Sequence, residues 1–131
     1  MAPGGVNTSR TNTPTQLVKG EYTKLQQEKT KTCFENSGGV TSKMRACSKQ
    51  ELEYQDKLLN KYYKLTMKSL DTLKRTELKK VQRLWIKYRD AKCGFYYGLS
   101  GGTMDLIIGD DCLVDMTTKR AEELKSIATS E

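Results

Sequence analysis

The stretch LWIKYRDAKC, residues 84–93, places a tryptophan, an Arg-Asp pair and a cysteine directly before Gly94. It lies within a pattern in which apolar residues recur every three or four positions, the spacing of one helix face. The members of this stripe are Leu78, Val81, Trp85 and Tyr88. Glycine favours the left-handed conformation that ends many helices. We therefore predict a helix over residues 76–93 that ends at Gly94 and packs its stripe, including Trp85, against a partner.

A second helical pattern precedes the first. Ser48 and Glu51 have the spacing of a capping box, in which a hydroxyl and a carboxylate satisfy free backbone amides, so we predict a helix start at Ser48. The stripe that follows consists of Leu52, Leu59, Tyr62, Thr66, Leu70 and Leu73. One continuous helix over residues 48–93 would be about 69 Å long, too long for one compact domain. We therefore predict a break within residues 71–76, a new start at Thr76 and an antiparallel hairpin.

The predicted hairpin also has a predicted register. A turn near residue 73 places Asp56 opposite Arg89 and Asn60 opposite Trp85. Arg89 and Asp56 are then expected to form a bidentate ion pair, partly buried beside the indole ring, that fixes the register of the two helices.

The two ends of the chain differ in composition. Residues 1–16, MAPGGVNTSRTNTPTQ, carry almost no large apolar side chains that would offset the entropy of ordering them. We predict that they form a disordered leader, without the apolar stretch of a signal peptide, and that residues 17–131 form a single helical domain. Its first part, residues 17–34, is predicted to be a weak helix that ends before Gly38.

A C-terminal helix is predicted to begin at Asp110 or Asp111, because carboxylates favour a helix N-terminus. Its apolar stripe is expected to contain Leu113, Thr117, Arg120, Leu124 and Ile127. Thr117 and Arg120 are expected to anchor this helix to the region of Arg89 and Asp90.

The chain has four cysteines, at positions 33, 47, 93 and 112, and no histidine. Structural zinc sites usually take their ligands in close pairs, and no CxxC pair occurs here, so we expect two disulfides and no metal. Of the three possible pairings we favour Cys33 with Cys47 and Cys93 with Cys112, since each closes a short loop. Disulfides indicate an oxidising compartment.

Composition limits the size of the core and the class of protein. The chain has 131 residues, a formal charge of +7 and a mean hydropathy of −0.70, which suits one small domain with a thin core. It contains no apolar run long enough to predict a membrane span. With no histidine, and with the cysteines assigned to disulfides, only carboxylates remain for acid-base chemistry. We predict a non-enzymatic protein without a cofactor or small-molecule substrate.

Residues 94–111, GFYYGLSGGTMDLIIGDD, are more apolar than an exposed loop usually is. We favour packing of this segment under the hairpin over a binding patch. If it contacts a partner, the candidate residues are Tyr96, Tyr97, Ser100 and Thr103. A second candidate surface, which we interpret as a solvated helix face rather than a phosphate site, consists of Lys80, Arg83 and Lys87.

Several of these residues together resemble the signature of the LprI-type lysozyme-inhibitor family over residues 33–125. The matching positions are Cys33, Cys47, Asp56, Leu59, Asn60, Tyr62, Gln82, Trp85, Ile86, Arg89, Asp90, Cys93, Gly101, Gly102, Thr103, Cys112, Thr117, Arg120 and Leu124. The resemblance implies a secreted or periplasmic, disulfide-bonded bacterial protein without catalytic activity. Its fold class would be all-α: a small helical bundle built on an antiparallel hairpin plus a C-terminal helix.

The function implied by the resemblance is inhibition of lysozyme or another cell-wall-degrading enzyme, so the expected partner is a protein. The positive net charge should slow approach to cationic lysozymes, although a lysozyme cleft is locally acidic. The alternatives are a periplasmic module whose basic face binds an anionic partner, such as lipopolysaccharide or a wall polymer, and an immunity protein against another toxin.

Overall fold

The computed structural model of the protein describes residues 14–130 and, within them, four helices and no strand. The helices are α1 (Pro14–Asn36), α2 (Thr41–Ser69), α3 (Thr72–Tyr97) and α4 (Met104–Thr129). The predicted all-α fold class is therefore confirmed. Most of the predicted leader, residues 1–13, lies outside the described residues, and the boundary of the domain stays a prediction.

Helix α4 packs against both α2 and α3, and α1 packs against α2. Contacts between side chains give the directions. Cys33 is bonded to Cys47, which makes α1 antiparallel to α2 beyond their turn, and Cys93 is bonded to Cys112, which does the same for α3 and α4. Helices α2 and α3 are antiparallel as predicted, but they approach each other little beyond their turn because α4 lies against both.

The break between α2 and α3 falls at Leu70 and Asp71. The Asp71 carboxylate accepts a hydrogen bond from the backbone N–H of Lys74 at 2.9 Å and so caps α3. The prediction of a break is confirmed, but the predicted start at Thr76 is wrong by four residues. Aspartate is among the strongest N-cap residues, and Asp71 supplies the cap one turn earlier than Thr76 would.

Helix α2 begins at Thr41, not at Ser48 as predicted. The turn before it contains Gly38 and Gly39 at φ values of 60° and 78°, where a side chain would be strained, so the predicted end of the first helix is confirmed. Ser48 is buried inside α2. The Glu51 carboxylate accepts from Gln26 and Thr30 of α1 instead of capping a helix.

The core lies where α2 and α4 meet. Its buried apolar members are Leu59, Tyr62, Ala121 and Leu124, with Leu58, Tyr63, Leu78 and Trp85 packed against them. Two fully buried threonines, Thr66 and Thr117, accompany them. The Thr66 hydroxyl lies 2.7 Å from the carbonyl oxygen of Tyr62 and 2.9 Å from that of Leu124, so its burial leaves no polar group unsatisfied.

The predicted buried stripe of α3 is wrong in part. Val81 and Tyr88 are 48% and 60% exposed, whereas Gln82 is buried and Arg89 is half-buried. Leu78 and Trp85 of the predicted stripe do pack against the core, so the apolar pattern located only part of the packed face. Gln82 accepts a hydrogen bond from Arg120 of α4, and a polar side chain with a partner of this kind is stable inside a small core.

The connection between α3 and α4 is shorter than the predicted one. Helix α3 continues through Gly94 to Tyr97, and α4 begins at Met104, so the predicted helix end at Gly94 and start at Asp110 are both wrong. Asp110 lies inside α4, where its carboxylate pairs with Arg45 of α2 at 2.9 Å. Only residues 98–103 remain as a turn, which we call the α3–α4 turn.

Candidate functional site

The α3–α4 turn is held by a carboxylate from the helix that follows it. The Asp105 side chain, which is buried, accepts from the backbone N–H of Ser100 at 2.7 Å and of Gly101 at 2.8 Å, and from the Ser100 hydroxyl at 2.6 Å. The Ser100 bonds hold the pKa of Asp105 below its usual range, with a smaller contribution from Gly101. The turn is thus fixed in one conformation.

Tyr97 secures the turn from the α3 side. Its hydroxyl donates to Asp110, which also pairs with Arg45, and burial together with this hydrogen bond raises the pKa of Tyr97 to about 12. The tyrosine ring lies directly over Gly109, where a Cβ atom would overlap it. One turn away, the Cys93–Cys112 disulfide joins α3 and α4, with their Cα atoms 5.4 Å apart.

Both predicted disulfides, Cys33–Cys47 and Cys93–Cys112, are present, and the described residues contain no free cysteine. The candidate partner-binding residues lie in different settings. Tyr97 and Ser100 are engaged in the hydrogen bonds that hold the turn, Tyr96 is half-buried and Thr103 is exposed.

Large apolar side chains around the turn face solvent. Phe95, Leu99 and Met104 are 64%, 57% and 62% exposed. The sequence argument counted them in the apolar density of residues 94–111 and favoured packing of this segment under the hairpin, which is wrong for these three side chains. Their exposure depends on the turn conformation, which periodicity does not specify. The site therefore combines a rigid, uncharged turn with an exposed apolar rim.

A concave surface lies elsewhere, between α2 and α3. This α2–α3 groove has a volume of about 550 Å³ and is lined by Asp56, Leu59, Asn60, Tyr63, Lys79, Gln82, Arg83, Ile86 and Arg89. The predicted ion pair between Asp56 and Arg89 is not formed; Arg89 pairs instead with Asp90, at 3.0 Å. The reason is the separation of α2 and α3, since α4 and not α3 packs along α2.

Thr117 contacts Arg89 as expected, whereas Arg120 contacts Gln82 of α3 and not Arg89 or Asp90. The Arg89 Nη1 atom lies 3.3 Å from the Thr117 hydroxyl, and the Arg120 Nε atom donates to the Gln82 side-chain oxygen at 2.9 Å. Both guanidinium groups lie near the Trp85 ring, at 5.2 Å for Arg89 and 5.9 Å for Arg120 from its centroid. Trp85 is therefore half-buried: it packs against the core, and both arginines lie within cation–π distance of its ring.

Lys80, Arg83 and Lys87 are all exposed on α3, as a solvated helix face requires, and Arg83 also lines the groove. In the part of the chain that the structure describes, no helix is both long and apolar enough to cross a bilayer. Within the same residues, no group of cysteine and acidic side chains is arranged to hold a metal ion.

The fold and the two surfaces define a class of protein: a disulfide-linked helical bundle with a rigid turn at one end and a charged groove along one side. Comparison with known proteins then identifies the family. Residues 33–124 match the lysozyme inhibitor LprI family, so the chain belongs to that family. The match includes all four cysteines, the turn and the groove.

One curated relative is an uncharacterised protein of Rhizobium meliloti (strain 1021). It is 31% identical over 101 residues, which cover 66% of this chain and 73% of the relative. No solved structure matches the chain.

Proposed function

We propose that this protein is a non-enzymatic, extracytoplasmic inhibitor of lysozyme or of a related cell-wall-degrading enzyme. The family match over residues 33–124 carries this proposal. The two disulfides support the compartment, because such bonds persist in oxidising environments and are rare in the cytosol.

The α3–α4 turn is the surface that we propose for contact with the enzyme. It joins the ends of α3 and α4 and its residues are exposed, and an exposed turn suits contact with the concave substrate cleft of a hydrolase. Because Asp105 and the Cys93–Cys112 disulfide already hold the turn, less conformational entropy is lost when it binds. Leu99 and Met104 supply the apolar area, and Tyr96 and Thr103 lie beside it.

Charge does not prevent this contact. The chain carries 23 basic and 16 acidic residues, so its approach to a cationic lysozyme is slowed by repulsion. The turn sequence GLSGGT, residues 98–103, contains no charged side chain, and repulsion over longer distances is screened within roughly 8 Å at physiological salt. The prediction is slow association with retained affinity.

A cell-wall lysis assay tests the proposal. Lysozymes of several classes would be assayed with and without the protein over a salt series, and dose-dependent inhibition near stoichiometric protein is expected for at least one class. The variant Leu99→Ala/Met104→Ala should lose most of this inhibition. A matched control, Val81→Ala/Leu84→Ala, removes two apolar side chains of α3 that are also about half exposed and should inhibit like the unaltered protein. Absence of inhibition for every class would contradict the proposal.

A further inference from the structure

We propose that the α2–α3 groove binds a small organic acid whose carboxylate contacts Lys79, Arg83 and Arg89 and whose neighbouring hydroxyl or amine donates to Asp56. This inference does not depend on the inhibitor proposal, because the groove and the α3–α4 turn share no residue. The structure supports it through the charges of the groove, the way Arg89 is held and the residues that the fold leaves unused.

The two walls of the groove carry opposite charge. Helix α3 contributes Lys79, Arg83 and Arg89, and α2 contributes Asp56, so the lining has three cations and one anion. Among the described residues, Lys79, Arg83 and Asp56 have no hydrogen-bonding or ionic partner. A ligand with a carboxylate on one side and a donor on the other would satisfy both walls.

Another cavity of the molecule shows the contrasting arrangement. The cavity between α2 and α4 is also lined by charged residues, Arg45 and Asp110 among them. There the two side chains pair with each other at 2.9 Å, and Asp110 also accepts from Tyr97. Asp110 is thus already paired by the fold, whereas Asp56, the acidic residue of the α2–α3 groove, has no partner among the described residues.

Arg89 is held in place at the groove wall. Its Nε atom donates to Asp90 at 3.0 Å, its Nη1 atom to Thr117 at 3.3 Å, and the guanidinium lies over Trp85. Its side chain is only 18% exposed. A guanidinium that is fixed in this way loses little entropy when a carboxylate binds it.

Arg120 lies behind the same wall. It donates to Gln82, which lines the groove, and its Nη1 atom pairs with the exposed Glu123 carboxylate. Its Nη2 atom is buried without a hydrogen-bonding partner among the described residues. Because Glu123 already compensates its charge, Arg120 holds Gln82 in place at the groove wall and does not add to the positive charge of the groove.

Two polar residues of the lining have no hydrogen-bonding partner among the described residues: Asp56, which is half-buried, and Asn60, which is exposed. Leu59, Gln82 and Arg89 have roles in packing or hydrogen bonding within the bundle. Asp56 and Asn60 are therefore available to a ligand in the groove.

Size and chemistry identify the ligand class. A volume of about 550 Å³ lies within the usual range for small-molecule sites, roughly 300–1,000 Å³. Leu59 and Ile86 give the groove an apolar part, which favours an organic acid over a bare inorganic anion. The donor that Asp56 requires can be a hydroxyl, as in an acidic sugar, or an amine, as in an acidic amino acid.

Amide NMR titration of the full chain tests the proposal, with glucuronate and glutamate as the two acids and glucose as the neutral probe. We expect at least one of the two acids to shift the amide signals of residues 56–63 and 79–89, and we expect glucose to leave these signals unchanged. The variant Lys79→Ala/Arg83→Ala should weaken acid binding by about tenfold or more. The matched variant Lys80→Ala/Lys87→Ala removes the same charge outside the groove and should change it by less than about twofold.

The variant Asp56→Asn distinguishes the two ligand sources. Removing the carboxylate should weaken glutamate, which offers an ammonium, more than glucuronate, which offers hydroxyls. Three results would overturn the proposal. They are the absence of any shift of groove amides with either acid, binding of glucose as strong as that of glucuronate, and equal weakening of acid binding by Lys79→Ala/Arg83→Ala and by Lys80→Ala/Lys87→Ala. The last result would indicate general attraction to a basic surface.

Discussion

The α3–α4 turn and the α2–α3 groove differ in how their polar groups are paired. In the turn, the Asp105 carboxylate is matched by three donors from Ser100 and Gly101. In the groove, Asp56, Lys79 and Arg83 have no partner among the described residues. One region uses its polar residues to hold a shape, and the other leaves them available. Substitutions should therefore change stability in the turn and binding in the groove.

The largest stability effect is expected from the disulfide beneath the turn. The double variant Cys93→Ala/Cys112→Ala removes a link across 19 residues and should lower the free energy of unfolding by about 3 kcal/mol. Chemical denaturation measures this loss. If the two regions differ as described, this variant should inhibit less than the unaltered protein. At denaturant concentrations below its unfolding midpoint, where it is still folded, it should still bind the acid in the groove.

The control for this disulfide is the other one. Cys33→Ala/Cys47→Ala opens a link across 14 residues between α1 and α2, away from the turn, and should destabilise to a similar degree. It should leave inhibition intact where the chain remains folded. Equal loss of inhibition in both variants would mean that stability, not turn geometry, sets activity.

The second effect concerns the packing of Tyr97. Gly109→Ala places a methyl group where the tyrosine ring lies, and the resulting overlap should lower the free energy of unfolding by about 2 kcal/mol. Thermal unfolding followed by circular dichroism would measure it. The ring must also move from Asp110, so the Tyr97 pKa should fall from about 12 towards its ordinary value.

Gly94→Ala is the matched substitution and should have the opposite sign. Gly94 lies in α3 with open space around its Cα, so alanine meets nothing and improves helix propensity. A gain of about 0.5–1 kcal/mol is expected in the same unfolding experiment. Destabilisation by Gly94→Ala would show that the helix does not continue through this position.

A pH effect is expected at Asp105. Its pKa is lower in the folded state than in the unfolded chain, chiefly because Ser100 donates to it, so its contribution to stability is complete above about pH 4. That contribution is lost as the pH falls through the lowered folded pKa. Ser100→Ala should raise the Asp105 pKa, as measured by carboxyl NMR titration. Thr103→Ala, which removes a neighbouring hydroxyl that does not bond Asp105, should leave that pKa in place.

The smallest stability effect is expected in the groove. Asp56→Asn removes an unpaired charge and should change the free energy of unfolding by less than about 0.5 kcal/mol. Urea denaturation of this variant beside Asp105→Asn, which removes the negative charge that three donors of the turn face, compares the two regions directly. Equal destabilisation by both substitutions would contradict the difference described above.

The sequence predicted those parts of the fold that depend on local spacing. Periodicity identified the middle of the buried faces of α2 and α4, and loop length identified both disulfides. Periodicity was wrong at the ends of the two stripes, because Leu73 lies in α3 and is 69% exposed and Ile127 is 41% exposed. The errors at Ser48, Gly94 and Asp110 share one cause: a local cap signal was outweighed by tertiary packing that continued the helix. Disulfides beside these positions, at Cys47, Cys93 and Cys112, tie the extended helices to their neighbours.

The candidate sites were less predictable. The Asp56–Arg89 pair was expected because a helical hairpin usually packs its two helices together. Here α4 packs against both, and the charges face a groove instead. Such a separation depends on the arrangement of three helices, which spacing within one helix does not reveal. The exposure of Leu99 and Met104 also depends on how the helices are arranged, so their apolar character alone did not predict it.

The most direct test of the inhibitor account is amide NMR of the labelled protein titrated with a lysozyme that it inhibits, at physiological salt. The account predicts that shifts concentrate at residues 95–104 and that the amides of residues 56–63 and 79–86 stay in place. Shifts confined to the groove residues, with the turn unaffected, would contradict it.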